Sequence, residues 1–161
     1  MIELELLNRN NENMVREIQR DDIPTCFAED ISYTIELSKY GEENNLCGHC
    51  YAIKYANKYV GIILLGEGIE GEADPIELKG TGFFRVIGFA IDKKYRGQGL
   101  GSKALELALN EIYHEYGHVP ILLECHKDNE REIKFYTKMG FRNTNILNNQ
   151  DYFLIKYPDE F

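Results

Sequence analysis

Short segments in which apolar and polar residues alternate recur along this chain, and alternation over four to eight residues is typical of a half-buried strand. The segments that predict strands are residues 1–6, 50–55, 58–65, 83–91, 120–125 and 152–157. Ala56 and Asn57 separate the second and third segments, and they predict the turn of a β-hairpin. The first segment alternates apolar with acidic residues, which indicates an edge strand or an early strand.

Apolar residues at helical spacing mark most of the other long segments. Helices are predicted over residues 12–20, from about Thr25, over 100–116 and over 129–139. The apolar stripe of the longest helix consists of Leu100, Ala104, Leu107, Ala108 and Ile112. Gly117 and Gly140 predict the ends of the last two helices. Residues 31–40 combine helical spacing with β-branched side chains and fit either structure, whereas residues 41–48 predict a loop.

Strands and helices that alternate within 161 residues predict a single α/β domain over residues 1–161. No apolar run is long enough to span a bilayer, and the first residues lack the basic start and apolar block of a secretory signal. We therefore expect no membrane anchor and no membrane partner. The formal net charge of -9 repels phosphate backbones, so nucleic acid is not an expected partner.

Cys47 and Cys50 form a C-x-x-C pair, a spacing that occurs in both redox and zinc sites. A redox pair begins a helix, whereas residues 51–55 continue as a strand. A zinc site needs a second pair of ligands, and Cys26 and Cys125 are isolated in the sequence. The sequence therefore predicts no metal site, and the cysteines are expected to be free thiols in a reducing cytoplasm.

Residues 67–77 contain five carboxylates and no basic residue. Together with the neighbouring glycines and Pro75, this composition predicts an acidic loop. Two interpretations remain open for it. The loop is either a solvated connection or a surface that attracts a cationic ligand.

A glycine cluster follows the strand predicted to end at Ile91 and opens the longest predicted helix. Gly97, Gly99 and Gly101 allow a tight turn and a close approach of the backbone to a ligand, and the first helical turn offers unpaired N–H groups. Arg96 adds a fixed cation. Residues 97–102, called the glycine turn below, therefore predict a site for a phosphate-bearing ligand, with Lys93 and Lys94 nearby suited to one small polyanion.

Other glycine-rich motifs fit this segment less well. A P-loop is excluded because Ser102 precedes Lys103, whereas the motif requires the lysine first. In a dinucleotide fingerprint, Ser102 would occupy the last glycine position and Glu124 would bind the ribose. An NAD-linked oxidoreductase therefore stays open as an alternative, as does a turn that binds nothing.

Two motifs carry a resemblance to a known family. Residues 96–101 resemble the R/Q-x-x-G-x-G/A acyl-CoA signature of the GNAT N-acetyltransferases. Asn129, Phe135 and Tyr136, followed by Gly140, resemble the family pattern N-x-x-A-x-x-F-Y-x-x-x-G-F. Glu132 replaces the usual alanine in this second motif. The resemblance covers residues 83–143.

The resemblance implies a mixed, mainly antiparallel sheet with splayed central strands, flanked by helices. It implies acetyl-CoA as a cosubstrate and direct transfer of the acetyl group to an amine in a ternary complex. The residues that it assigns to acetyl-CoA are Phe89, Ala90, Ile91, Arg96, Gly97, Gln98, Gly99, Leu100, Gly101, Ser102, Asn129 and Tyr136. The sequence does not fix the oligomeric state, and a homodimer stays open because relatives often form dimers.

By resemblance, Tyr136 donates a proton to the leaving sulfur, and the alternative is a core tyrosine. Arg85 stands where many histone-type relatives have a glutamate base, so that role cannot be transferred. Glu124 is the candidate base because it precedes Tyr136 by the interval found in ribosomal-protein alanine acetyltransferases. Glu124 could instead only order the splayed strands, and His126 is a minor alternative base.

The negative charge and the acidic loop favour a small cationic amine, such as a polyamine or aminoglycoside, as the acceptor. A protein N-terminus stays open as an acceptor, and so does a noncatalytic acyl-CoA sensor. The residues that select the acceptor are expected in residues 20–48 and 66–82, which contain no recognised motif.

Overall fold

A computed structural model describes residues 1–158. Seven strands form one sheet in the order β1-β2-β3-β4-β5-β7-β6. The strands are β1 (Ile2–Leu6), β2 (Gly48–Tyr55), β3 (Lys58–Glu67), β4 (Phe84–Ile91), β5 (Ile121–His126), β6 (Arg142–Asn148) and β7 (Asp151–Lys156). The helices are α1 (Glu12–Val15), α2 (Ile31–Glu43), α3 (Leu100–Tyr116) and α4 (Glu130–Lys138). The mixed, mainly antiparallel α/β architecture expected from the sequence is confirmed.

The centre of the sheet opens between β4 and β5. These strands run parallel and pair only through Phe84 with Ile121 and Arg85 with Leu122. All other neighbouring strands pair in antiparallel fashion. The rest of β4 therefore has no partner on the β5 side, and the expected splay of the central strands is present.

A β-bulge bends β4 beside this opening. Gly88 pairs with Leu64 and Val86 pairs with Leu65, so Ile87 is an extra residue without a partner in β3. Phe84 and Val86 pack into the core beneath α3, and Phe89 and Ile91 pack into the same core. Bulges of this kind bend a strand and increase its twist.

The sheet carries a hydrophobic core on each face. On one face, the stripe of α3 predicted from the sequence packs against the strands, with Leu100, Ala104, Ala108 and Ile112 buried. On the other face, Val15, Ile18 and Ile35 pack against β2 and β3. Because both faces are covered, the sheet is a rigid support for the opening between β4 and β5.

The helix ends agree with prediction in the second half of the chain. α3 ends before Gly117, which has a φ of 88°, and Gly140, with a φ of 97°, follows the end of α4. Both values lie in the left-handed region that favours glycine. Ala56 and Asn57 also have positive φ angles, of 50° and 63°, as a tight hairpin turn requires.

Three predictions for the first half of the chain are wrong. The helix predicted over residues 12–20 ends at Val15, and after it the chain turns so that the Gln19 carbonyl accepts a hydrogen bond from Lys93 N at 2.8 Å. No helix begins near Thr25, where the chain forms a turn. The loop predicted for residues 41–48 is partly helix, because α2 continues to Glu43. This helix begins after Asp30, whose side chain accepts a hydrogen bond from Tyr33 N at 2.7 Å.

β6 was not predicted because its sequence is polar and no apolar alternation marks it. Arg142–Asn148 forms an edge strand that pairs only with β7, and the register shifts between Asn143 and Leu147. Pairing with β7, whose prediction over residues 152–157 is confirmed, supplies the order that the β6 sequence lacks.

Cys47 and Cys50 do not form a paired site. Cys50 lies in β2 and is buried, whereas Cys47 precedes the strand and is exposed. Burial raises the pKa of the Cys50 thiol to about 12. Within residues 1–158, no group of three or more histidine, cysteine, aspartate or glutamate side chains is arranged to hold a metal ion. No helix in that range is long and apolar enough to cross a membrane.

Candidate active site

Two cavities meet at the opening between β4 and β5. The turn cavity, about 320 Å³, borders the glycine turn, and the acidic cavity, about 220 Å³, lies between β4, β5 and the segment before α2. Their shared wall consists of Ala28, Phe89, Ala90, Glu132 and Tyr136. Two ligands bound in these cavities would therefore meet at Tyr136 and Glu132.

The glycine turn has the backbone geometry of an anion site. Gly97 and Gly99 have φ angles of 80° and 76°, and no heavy atom lies within 4 Å of where a Cβ would stand. Lys103 N donates to Gly99 O at 3.3 Å and makes the first hydrogen bond of α3. The amides that precede it at the helix start face the turn cavity without a helical acceptor. The turn fits a phosphate-bearing group.

The cations around this cavity differ from those expected. Arg96 lines it, but Lys93 and Lys94 do not. Arg20 and Arg131, which the sequence analysis missed, complete the set. Arg131 could have been found as the basic residue of the first turn of the helix that Asn129 begins, whereas Arg20 lies in a segment without a motif.

Arg96 is already paired within the protein. Its Nε donates to Ile91 O at 3.0 Å, and its guanidinium forms an ion pair with Asp22. Lys93 pairs with Asp21 at 2.8 Å. A polyanion in the turn cavity therefore competes with Asp22 for Arg96.

Most residues assigned to acetyl-CoA by resemblance lie together. The turn cavity is lined by Phe89, Ala90, Ile91, Arg96, Gly97, Gly99, Leu100, Gly101, Ser102, Asn129 and Tyr136. Gln98 does not line it and is exposed. The unpaired part of β4 lies along the same cavity, which leaves backbone groups free to bind an extended ligand.

Asn129 and Glu132 begin α4 with reciprocal hydrogen bonds. Asn129 Oδ1 accepts from Glu132 N at 3.3 Å, and Asn129 Nδ2 donates to Glu132 Oε2 at 2.6 Å. Cys125 Sγ donates to the same carboxylate oxygen at 3.8 Å. Burial, followed by the charge of Glu132, raises the pKa of the Cys125 thiol to about 12, so this thiol stays protonated.

Tyr136 lies one helical turn after Glu132. Its side chain is buried, and its ring contacts Phe135 and Phe141 edge to face. Burial, with smaller contributions from Glu132 and Cys125, holds the pKa of the Tyr136 hydroxyl well above its usual value. The hydroxyl is therefore protonated at neutral pH and can donate a proton to a basic atom at the junction of the cavities.

The acidic cavity is lined by carboxylates from four parts of the fold. They are Glu29, Glu124, Glu132 and Asp151, and no lysine or arginine is among the described residues that line this cavity. Gly88 borders it and lies so close to Thr34 of α2 that a Cβ at this position would overlap the threonine side chain. The cavity suits a ligand with positive charge.

Glu124 and His126 occupy different surroundings. Glu124 lines the acidic cavity, is exposed and accepts a hydrogen bond from Asn148 Nδ2 at 2.9 Å. His126 lines neither cavity. Its Nδ1 accepts from Asp128 N at 3.1 Å and its ring packs on Phe27 at 4.9 Å, so the histidine has a structural environment.

The acidic loop is tied down by basic side chains from other elements. Arg85 pairs with the buried Asp74, and Arg142 pairs with Glu77 at 2.9 Å. The interpretation of the loop as an attracting surface is therefore wrong for Asp74 and Glu77, whose charges are neutralised within the protein. Glu72 in the same loop is exposed, and the carboxylates that line the acidic cavity form no ion pair with a lysine or arginine among residues 1–158.

Solved structures with similar folds span several acceptor classes. Aminoglycoside acetyltransferase AAC(6')-Ib in complex with coenzyme A has a TM-score of 0.75 at 17% identity, over 98% of this chain and 95% of that one. Arabidopsis thaliana Naa50, in complex with a bisubstrate analogue, has a TM-score of 0.65 at 18% identity, over 96% and 97% of the two chains. At these identities the likeness shows the fold.

Sequence comparison gives a closer relation. N-alpha-acetyltransferase 30 of Schizosaccharomyces pombe is 40% identical over 52 residues, which are 32% of this chain and 34% of the relative. The chain thus matches about a third of the length of this curated relative. Residues 12–141 match the model of the acetyltransferase (GNAT) family.

Proposed function

The chain belongs to the acetyltransferase (GNAT) family, and on this premise we propose that it transfers an acetyl group from acetyl-CoA to a small cationic amine. One observation carries the proposal: a cavity bordered by the glycine turn and three arginines joins a cavity lined by four carboxylates. The first cavity suits a polyanion that carries an extended arm, and the second suits a polyamine or an aminoglycoside. The two ligands meet at Tyr136.

Different residues of the turn cavity bind different parts of acetyl-CoA. Amides of residues 97–102, with Arg96, bind the pyrophosphate, and the backbone of Phe89, Ala90 and Ile91, on the side of β4 that has no strand partner, binds the pantetheine arm. Bound acetyl-CoA supplies the acetyl group as a thioester. A backbone amide near Phe89 faces the thioester oxygen and stabilises the charge that develops there.

Proton transfer requires one donor and one acceptor. Tyr136 donates its hydroxyl proton to the sulfur as the C–S bond breaks, and its protonated state at neutral pH supports this role. The acceptor for the ammonium proton is a carboxylate of the acidic cavity. The sequence resemblance implies Glu124 for this role, and Glu29, Glu132 and Asp151 line the same cavity.

The proposal is tested by thiol release from acetyl-CoA with a panel of acceptors: spermidine, kanamycin, free lysine and peptides with a free N-terminus. We expect release with a cationic small amine, and about a 100-fold lower kcat for Tyr136→Phe because the proton donor is lost. Equal rates for Tyr136→Phe and the parent protein would contradict the role of Tyr136. Binding of acetyl-CoA without release for any acceptor would favour a sensor.

The origin of the acceptor preference is tested by two matched variants. Glu29→Gln removes a charge that lines the acidic cavity, whereas Glu72→Gln removes one from the exposed acidic loop. We expect the KM for spermidine to rise about two- to fivefold in Glu29→Gln only, the range typical of an exposed ion pair. A rise of the KM for spermidine in Glu72→Gln alone would mean that the acidic loop, and not the acidic cavity, attracts the acceptor.

A second acceptor class has one observation in its favour. The identity shared with N-alpha-acetyltransferase 30 reaches 40% over 52 residues. If that relation extends to the acceptor, peptides with a free N-terminus will be acetylated faster than spermidine in the same panel. That result would replace the small amine by a protein N-terminus and leave the chemistry at Tyr136 unchanged.

A further inference from the structure

Glu132 is an ionisable residue at the place where the two cavities meet. Its side chain lines both of them, together with Tyr136. The family pattern that this segment resembles has alanine at this position, which can neither bind a cation nor move a proton. The chemistry of this carboxyl group is therefore a property of this chain.

The carboxyl group is held in place through one of its two oxygens. Oε2 accepts from Asn129 Nδ2 at 2.6 Å and from Cys125 Sγ at 3.8 Å. Oε1 accepts no hydrogen bond from any residue between 1 and 158. One oxygen thus fixes the side chain against α4 and β5, and the other is available to a ligand.

The charged surroundings of Glu132 come from several elements. Burial raises the pKa of its carboxyl group, and this effect outweighs the opposing effects of the Cys125 hydrogen bond and of three arginines. Arg20 and Arg96 belong to the loops around the turn cavity, and Arg131 belongs to α4. The groups that face it otherwise are Tyr136 on the same helix and, around the acidic cavity, Glu29, Glu124 and Asp151. A carboxylate with a raised pKa is a better proton acceptor near neutral pH than an ordinary one.

We infer that Glu132 accepts the proton that the ammonium group of the acceptor must lose before it attacks the thioester. This inference rests on the proposed function and assigns its proton acceptor. Glu124, which is exposed and bonded to Asn148, then binds the cationic acceptor and does not remove its proton.

The protons balance in this scheme. The acceptor enters as R-NH3⁺, and one proton passes to Glu132, which later releases it to water. The neutral nitrogen forms the N–C bond while the C–S bond breaks. A second nitrogen proton is lost as the amide forms, and it replaces the proton that Tyr136 gives to the sulfur.

The main test compares pH profiles of kcat/KM for the parent protein and Glu132→Gln with the best amine of the panel. In the parent, the profile rises with pH through the titration of Glu132 and levels off once this carboxyl group has lost its proton. We expect Glu132→Gln to lower kcat about 100-fold at pH 7. The loss of activity in Glu132→Gln becomes smaller as the pH approaches the pKa of the free amine, because the amine then binds in its neutral form.

Three further variants serve as controls. Glu130→Gln removes an exposed carboxylate from the same helix and is expected to keep the parent profile within twofold. Glu132→Ala restores the residue found in the family pattern. Because the fold accommodates alanine at this position in that pattern, a loss of activity in this variant is not explained by misfolding. Glu124→Gln is expected to raise the KM for the amine and to keep the shape of the profile.

A readout independent of turnover tests the placement of the group. In protein labelled with ¹³C at the glutamate carboxyl carbons, the Glu132 resonance is identified by its loss in Glu132→Gln. We expect coenzyme A and spermidine, added separately, each to shift this resonance, because Glu132 lines both cavities.

The outcomes separate the two proposals. Three results would overturn the role of Glu132. They are an unchanged pH profile in Glu132→Gln, a Glu132 resonance that neither ligand shifts, and loss in Glu124→Gln of the rise of kcat/KM with pH. Each of these results leaves the acetyltransferase function intact. Failure of the parent protein to release thiol with any amine, although coenzyme A binds, would overturn the proposed function and this inference together.

Discussion

Arg85 shows how one charged residue fixes a loop. Its guanidinium donates to the Asp74 carboxylate and to Ile69 O at 3.2 Å, and it stacks on the Phe83 ring at 5.2 Å. Asp74 also accepts from Gly71 N at 2.7 Å. The side chain that stands where many histone-type relatives have a glutamate thus holds the acidic loop against β4.

The Asp74–Arg85 pair makes a pH-dependent contribution to stability. Burial raises the pKa of Asp74, but the hydrogen bonds from Arg85 and Gly71 outweigh it and hold the pKa below its usual value. A carboxyl group with a lowered pKa contributes stability that is fully present above its pKa in the unfolded chain and is lost as the pH falls through its lowered pKa in the folded protein. We expect Arg85→Met to lower the free energy of unfolding by about 2–3 kcal/mol at pH 7, since Asp74 is left buried and unpaired.

Urea unfolding at pH 7, 5 and 3 measures this effect. The difference between Arg85→Met and the parent protein shrinks as the pH falls below the usual pKa of an aspartate, because the contribution of the ionised Asp74 to stability then declines. Lys58→Met, which removes an exposed lysine at the start of β3, is the control and is expected to have no such pH dependence. A loss that is constant across the pH range would mean that Arg85 acts through packing alone.

The connection from β4 to α3 is the element that the sequence predicts best. Its glycines have distinct tasks: Gly99 needs a left-handed backbone, with a φ of 76°, whereas Gly101 lies inside α3 without one. A Cβ at Gly101 would only contact Ile91 and Phe135 at 3.8 Å, an ordinary separation. The two positions therefore respond to the same substitution in opposite ways.

Gly99→Ala is expected to destabilise the protein by about 1 kcal/mol, or about 3 °C in Tm, because an L residue is strained at positive φ. The Kd for coenzyme A should rise with it, since the turn that binds the phosphates is distorted. Gly101→Ala is expected to gain about 0.5–1 kcal/mol from higher helix propensity and to keep the Kd. Thermal unfolding and calorimetric titration with coenzyme A distinguish the two, and equal losses would mean that the turn does not depend on backbone conformation.

Local patterns predicted the second half of the fold except β6, because the signals of its other elements are local. The stripe of α3, the caps at Gly117 and Gly140 and the glycine turn all depend on neighbours in sequence. The course of residues 16–30 could not be predicted in this way, since it follows from contacts with distant residues, such as Gln19 with Lys93. Glu29 and Asp151 were missed for the same reason, because the carboxylates of the acidic cavity come from four separate segments.

At the scale of the whole molecule, the segment before α2 connects the two cavities. Arg20 borders the turn cavity and donates to Ala28 O at 3.3 Å and to Glu29 O, while Ala28 borders both cavities. Asp22 in the same segment pairs with Arg96 beside the glycine turn. A ligand that displaces Asp22 therefore acts on a segment that also forms the wall of the acidic cavity.

Asp22→Asn is expected to tighten binding of coenzyme A about two- to fivefold, because the phosphates no longer compete with a carboxylate for Arg96. Asp21→Asn is the matched control: it removes the same charge one residue away, where the partner is Lys93, which does not line the cavity. Calorimetric titration at two salt concentrations compares them. Equal changes in both variants would indicate a general effect of charge and no competition for Arg96.

The extra residue in β4, Ile87, bends the strand without changing which of its side chains pack into the core. Phe84, Val86, Phe89 and Ile91 all face the α3 side, although strict alternation from Phe84 would place Gly88 and Ala90 there. Deleting Ile87 would restore simple alternation and leave each of those side chains on its present face, so the core composition would not change while the bend disappeared. A one-residue insertion can thus change the bend of a strand beside a site without any substitution in the core.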